Sequence, residues 1–294
     1  VMPSDMPPVK YDGRIWIRTG SRRALANEQE ERMLNEKRRF NVVPYDLHPF
    51  ETACLDDLSK VFFEEEYLPK AFAQEVLDAN KRSYEERLAS CKMIFSLDNT
   101  SPTLAGLLAI GKNPRNFIYG AYIQFVRIDG NKLGDPVIDE LLAEGRLTRM
   151  FDEITMKING HNRRAYDISR GPHVITEDYP MPAIVQILYN AVQHRNYDGT
   201  NAPVLFYWFN DRIEIISPGG PCGSVTPENF GKPGSVEYRN INITQVMKDL
   251  GLIQRFGQGI NAAREAMRQN GNPPVEFDVD TTHVRCVLRK KTNA

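Results

Sequence analysis

Hydrophobic and polar positions change their period several times along this chain of 294 residues, and each change predicts an element. Arg14-Ile15-Trp16-Ile17-Arg18 alternates basic and apolar side chains strictly, the pattern of a strand with one buried face. An Asp12-Gly13 turn pair precedes it and Thr19-Gly20-Ser21 ends it. No partner is obvious in the residues that follow, so it reads as the last strand of a sheet whose other strands lie upstream. Asn27 is placed to cap a strongly charged helix over 28–39. From Leu55 onward apolar positions recur three and four apart, which predicts helices over 55–66, 70–80 and 84–91. Two apolar runs, 104–110 and 119–128, read as strands, and 139–158 reads as a further helix. Gly160, Asn162 and Gly171 mark 159–172 as a break, where a domain boundary is expected.

The order is clearest in the last third, about 177–289. Pro182 sits in the first turn of a helix over 183–193. Strands over 203–209 and 212–217 flank an Asn210-Asp211 turn, and Pro218-Gly219-Gly220-Pro221 stops the second one. An irregular stretch runs to Asn240, followed by a helix over 244–250. Gly257-Gln258-Gly259 then opens a helix over 260–270, and strands over 275–279 and 283–289 close the chain.

Composition narrows the classes. With 37 basic and 38 acidic side chains the net charge is -1, so any nucleic-acid contact must come from a local patch. The densest basic clusters are Arg14–Arg18–Arg22–Arg23 and Lys37–Arg38–Arg39. Cys54, Cys91, Cys222 and Cys286 form no CxxC pair, which argues against zinc or a disulfide framework and suits a reducing cytosol. The histidines lack ligand spacing. No run is long enough to span a bilayer, and the first residues are not a signal peptide, so the expected location is cytoplasmic. A start at Val1 is expected of a fragment of a longer protein.

Gly106-Leu-Leu-Ala-Ile-Gly111-Lys112-Asn113 matches a phosphate-binding P-loop except at its end, where Asn113 replaces the metal-binding hydroxyl and Pro114 follows. The apolar run 107–110 reads as buried strand where a P-loop needs exposed amides. A helicase motor is therefore not expected.

A different constellation remains. Gln186, Asn190 and His194 lie four apart on one face of a helix whose other face carries Ile184, Ile187, Leu188 and Ala191. Polar residues in a row are costly to bury without partners, so this face is expected to border a cleft. Gly219-Gly220 and Gly257-Gln258-Gly259 follow, the latter at a helix N-terminus suited to a phosphate. One polar helix followed by two glycine turns resembles the order found in the GHKL family of ATP-binding folds.

Residues 190–197 (NAVQHRNY), 211–220 (DRIEIISPGG), Arg239-Asn240 and 254–260 (QRFGQGI) carry a closer resemblance. They are similar to a family of prokaryotic regulators that join a Schlafen AlbA-type DNA-binding domain to a divergent GHKL-like domain, often labelled a RecG-type helicase C-terminus. Pro102 to Lys112 and Arg14 to Ser21 match the same family. The resemblance implies an α+β chain in three parts: 1–27 as the end of an AlbA-type domain, 28–172 as a mixed middle domain, and 173–294 as a GHKL-like α/β sandwich. It implies ATP with magnesium as ligand, with Asn190 on the metal. His194, Arg195, Ser217, Gly219, Gly220, Gly257 and Gly259 would complete the nucleotide site. The family's water-activating glutamate falls on Gln186 and its adenine-reading aspartate on Ser217. An amide cannot take a proton as a carboxylate does, so no catalytic residue is assigned and at most weak ATPase activity is expected.

The leading expectation is a DNA-associated, homo-oligomeric regulator with no membrane association, with Arg14, Arg18, Arg22 and Arg23 as candidate DNA contacts. The alternatives are a scaffold that dimerises or docks without nucleotide, and a Schlafen-like nuclease whose chemistry lies upstream.

Overall fold

Local sequence rules account for most of the elements in the computed structural model, which describes residues 9–19, 21–27, 30–31, 43–167, 174–232, 234–253 and 257–291. The chain divides into two units, Val1–Pro44 and Tyr45–Ala294.

In the first unit, β1 (Lys10–Tyr11), β2 (Arg14–Thr19) and β3 (Arg22–Leu25) form an antiparallel sheet in that order. Asp12 and Gly13 both have positive φ, +50° and +70°, which is the two-residue hairpin whose twist suits the strands it joins. The expectation that β2 lacks local partners is thereby corrected: its neighbours in sequence supply both. Asn27 makes a capping box, its Oδ1 accepting from the Glu30 amide at 2.9 Å while Glu30 Oε2 accepts from the Asn27 amide at 2.9 Å. Apart from Glu30 and Glu31, the helix expected over 28–39 lies outside the described residues.

The second unit is built on a six-stranded sheet. Its strands are β4 (Tyr122–Ile128), β5 (Val137–Glu144), β8 (Val204–Trp208), β9 (Arg212–Pro218), β10 (Glu276–Val279) and β11 (His283–Arg289), in the order β10-β11-β9-β8-β4-β5. All pairings are antiparallel except β4 with β8. A small ribbon of β6 (Arg164–Asp167) and β7 (Val174–Glu177) stands apart from it. Along β8, Val204, Phe206 and Trp208 are buried while Leu205 and Tyr207 are half-buried, the period of two that a sheet covered mainly on one face requires.

The helices are α1 (Gln74–Ala79), α2 (Tyr84–Ser90), α3 (Leu104–Ile110), α4 (Leu147–His161), α5 (Met181–Gln193), α6 (Ile241–Asp249) and α7 (Gly259–Asn270), with a further helical run over 60–71. Helix α4 packs on β4 and β5, α5 packs on β9 and against α7, and α3 packs against α6. The division expected at 172/173 is not a division between compact units, because the parallel β4–β8 ladder joins the two sides in one sheet over one continuous core.

Three stretches differ from the sequence pattern, the first being the break expected over 159–172, where α4 runs on to His161 and β6 occupies Arg164–Asp167. Residues 104–110 form a helix, not a strand: Thr103 Oγ1 accepts from the Gly106 amide at 2.9 Å and caps it, and every one of its residues is buried. A continuous apolar run is compatible with either element, so periodicity alone could not decide. The stretch between Gly106 and Gly111 is buried helix, with none of the open amide loop that a P-loop requires. The helix expected over 139–158 divides instead. Val137–Glu144 pairs with β4, Gly145 breaks the chain at φ +107°, and the helix begins at Leu147.

Candidate functional site

Helix α5 is amphipathic in the manner its sequence predicts. Ile184, Ile187, Leu188 and Ala191 are buried against the sheet, and Gln186, Asn190 and His194 border a cavity of about 200 Å³. Ser217, Gly219 and Gly220 from the end of β9 and Gly257 and Gly259 from the start of α7 line the same cavity. Of the candidate nucleotide contacts, only Arg195 is not among the lining residues.

The tightest juncture is between α5 and the first turn of α7. A Cβ built on Gly259 would lie 2.7 Å from Asn190 Nδ2 and 3.2 Å from Gln186 Oε1. Glycine at 259 therefore leaves these two amides the room they occupy beside the helix start. Asn190 Nδ2 is buried, and it has no hydrogen-bond partner among the described residues. Such an atom is costly to leave bare unless something else satisfies it. Gly259, Ile260 and Asn261 line the cavity beside it, and the first turn of a helix leaves amides without intrahelical acceptors.

Other candidate residues are committed to the fold. Ser217 Oγ donates to the Ala191 carbonyl at 2.7 Å. The Gly219 amide donates to the Thr282 carbonyl at 2.7 Å. With φ +96° and its Cβ position 2.6 Å from Asn196 Cβ, Gly219 is glycine for its own chain's sake. The Gly219-Gly220 turn is thus not the open phosphate cradle that its sequence resembles.

His194 caps the C-terminus of α5 and stacks on Tyr238, with ring centroids 6.0 Å apart. Burial, and then the charge of Arg239, push its imidazole down to about 4, so it is neutral near pH 7 and brings no cation. Arg195 is 1 % exposed, donates to the Ala202 and Thr200 carbonyls and lies 4.5 Å over the Tyr197 ring. These bonds hold the chain at 200–202, while Arg195 Nη1 is buried with no partner among the described residues; the residue does not line the cavity. Arg14, Arg18, Arg22 and Arg23 all belong to the first unit.

The irregular stretch before α6 also furnishes the cavity. Lys232, Val236, Glu237, Tyr238 and Arg239 line it, and only Arg239 carried a signal in the sequence. The missed signal was Phe230 and Tyr238 set in a glycine-rich loop, since aromatic side chains there tend to find cover, and both are half-buried. Arg239 donates to the His194 and Gly220 carbonyls at 3.1 and 2.6 Å, and Asn240 donates to the Gln193 and Arg195 carbonyls at 2.8 Å each. This pair clamps the end of α5 to the glycine turn.

A magnesium nucleotide fits part of this donor set. Asn190 offers a hard oxygen and an unsatisfied amide, and α7 offers its positive end. The set lacks a carboxylate at 186, and among the described residues no group of three or more His, Cys, Asp or Glu could hold a metal by itself. No helix among the described residues is long and apolar enough to cross a membrane.

Comparison with known proteins places these features. Residues 201–288 match an ATPase-like family described as "Putative ATP-dependent DNA helicase recG C-terminal". The match takes in Ser217 and the four glycines but not Asn190, and it covers under a third of the chain. No curated protein matches the sequence. The crystal structure of the DIP2311 protein from Corynebacterium diphtheriae is similar over 99% of this chain at 19% identity, with a TM-score of 0.65. That likeness concerns the fold alone, and the chain spans 56% of the length of that structure. Residues 201–288 are therefore similar to an ATPase-like domain, within a chain of mixed α+β fold.

Proposed function

We propose that the α5–α7 cavity binds ATP with magnesium and does not turn it over appreciably, and that the protein is a DNA-associated regulator that senses this ligand. The observation that carries the proposal is the buried, unpartnered Asn190 amide at the N-terminus of α7. Asn190 Oδ1 would hold the metal and the first turn of α7 would receive phosphate oxygens. The metal would supply charge neutralisation of the phosphates. Gln186 stands where a general base is needed and cannot act as one, so bound nucleotide persists. The ATPase-like match over 201–288 supports a nucleotide as ligand.

A second reading, a scaffold without ligand, is favoured by how many polar groups serve the fold: Ser217, Arg195, Arg239 and the Gly219 amide all have internal partners. Calorimetric titration of the full chain with magnesium-ATP separates the two. Binding that depends on magnesium and is lost in Asn190→Ala supports the nucleotide; a folded protein that gives no heat at about millimolar ligand (a free energy near 4 kcal/mol) leaves the scaffold.

A further inference from the structure

The small sheet of the first unit has two unlike faces. Residues two apart share a face of a strand, and cross-strand partners share one too. The pairings Tyr11↔Arg14, Trp16↔Leu25 and Arg18↔Arg23 therefore put Tyr11, Arg14, Trp16, Arg18, Arg23 and Leu25 on one side. All six are exposed, Tyr11 by 73% and Trp16 by 36%. The other side carries Ile15, which is buried, and Ile17 and Ala24, which are half-buried. Arg22 pairs with Thr19 and belongs to that second side.

The exposed face combines charge and flat rings in close quarters. Residues 10–25 hold five basic side chains against one acidic, in a chain whose net charge is -1. Arg18 and Arg23 occupy one cross-strand pair, which sets two guanidinium groups side by side on this face. The Arg23 guanidinium lies 5.0 Å from the Trp16 ring centre, so one cation and one indole present a joint surface. Phosphates alone would need only the arginines. Exposed Trp16 and Tyr11 add stacking platforms, and a base can use them only when its face is free of a duplex.

We propose that this face binds single-stranded nucleic acid, with Trp16 and Tyr11 stacking on bases and Arg14, Arg18 and Arg23 on phosphates. The inference rests on the nucleic-acid part of the reading above and deepens it, naming the form of the ligand and removing Arg22 from the contact set. The chemistry does not require DNA over RNA, so both are used as probes.

The test is fluorescence anisotropy of the full chain with labelled DNA and RNA strands of about twelve nucleotides, single and annealed, beside the variants Trp16→Ala, Trp16→Phe, Arg18→Ser/Arg23→Ser and Arg22→Ser. Expected are affinity for the single strand at least about tenfold above the duplex, a loss on the order of tenfold in Trp16→Ala and substantial rescue in Trp16→Phe. With three phosphates neutralised, affinity falls about twentyfold between about 50 and 200 mM salt, and the double arginine variant flattens that slope to roughly a third. Arg22→Ser stays within about twofold of the parent. Emission from Trp16 is quenched on binding, whereas Trp208 is buried in the other unit and reports nothing. Tighter binding to duplex, an indifferent Trp16→Ala, or equal losses in Arg22→Ser and Arg18→Ser/Arg23→Ser overturns the inference while nucleic-acid association stands. No binding to any probe overturns both, and leaves the nucleotide titration to decide the cavity.

Discussion

Replacing Gly259 by alanine tests whether the cavity depends on the contact between α5 and α7. Gly259 is in the first turn of a helix, and its φ is not in the left-handed region. Alanine restricts the unfolded chain there, which stabilises by about 0.4–1 kcal/mol. Against this, the new methyl would stand 2.7 Å from Asn190 Nδ2, so that side chain must swing away, and 3.2 Å from Gln186 Oε1, which need give only by a few tenths of an ångström. An off-rotamer side chain costs about 0.5–1.5 kcal/mol, so the two effects nearly cancel. Thermal unfolding followed by circular dichroism should shift by no more than about 3 °C. Affinity for magnesium-ATP should nonetheless fall at least about tenfold, because the displaced amide is the one assigned to the metal; calorimetry reads this directly. Unchanged affinity at unchanged stability would refute the argument that this contact shapes the site. Gly106→Ala gives the contrast. Its methyl would meet the Met93 carbonyl oxygen at 2.0 Å, backbone that cannot retreat, so that variant should lose about 3 kcal/mol or more in denaturant unfolding.

Three further outcomes follow from the geometry. Gln186→Glu tests the proposed base position: with a carboxylate there, phosphate release from ATP should rise at least about tenfold over the parent, and no gain in a variant that still binds ATP removes position 186 from the chemistry. His194 has a depressed pKa, about 4 against 6.5, so the stability it contributes is complete above pH 6.5 and is lost as pH falls toward 4. The total is about 3 kcal/mol, and urea unfolding of His194→Gln across this window should show a shallower acid limb. Arg195→Met should cost about 2–4 kcal/mol by stranding the Ala202 and Thr200 carbonyls, while nucleotide affinity measured below the melting point stays within about twofold.

Much of the second unit was readable from local pattern. Pro182 fixed the start of α5, the Asn210-Asp211 turn and its alternating flanks fixed the β8–β9 hairpin, and Gly257 to Gly259 fixed the start of α7. The polar row on α5 was also legible, because Gln186, Asn190 and His194 recur at the helical period and do border the cavity. Pattern failed where a residue's environment is supplied by distant chain. Residues 104–110 are apolar throughout because α3 is buried on all sides, and burial on all sides erases the period that separates helix from strand. Val137, Ile138, Leu141 and Leu142 sit at helical spacings, and antiparallel pairing with β4 overrode them.

The same division holds for the site. Sequence by itself determined which residues have the chemistry: amides on α5, glycines at two turns, arginines and a tryptophan on one hairpin. Only the tertiary structure decided which of them are available. Arg195 and Ser217 look like ligand groups until their partners, Ala202 and Ala191, are seen to use them. Gly219 looks like an open turn until Asn196 is found in its side-chain slot. Asn190 keeps a buried side-chain nitrogen with no partner among the described residues and borders the cavity, whereas Arg195, whose Nη1 is also buried without a partner, does not border it. A hydrogen bond is satisfied by whatever lies within about 3 Å, and that neighbour is chosen by the packing of the whole chain, not by adjacency along it.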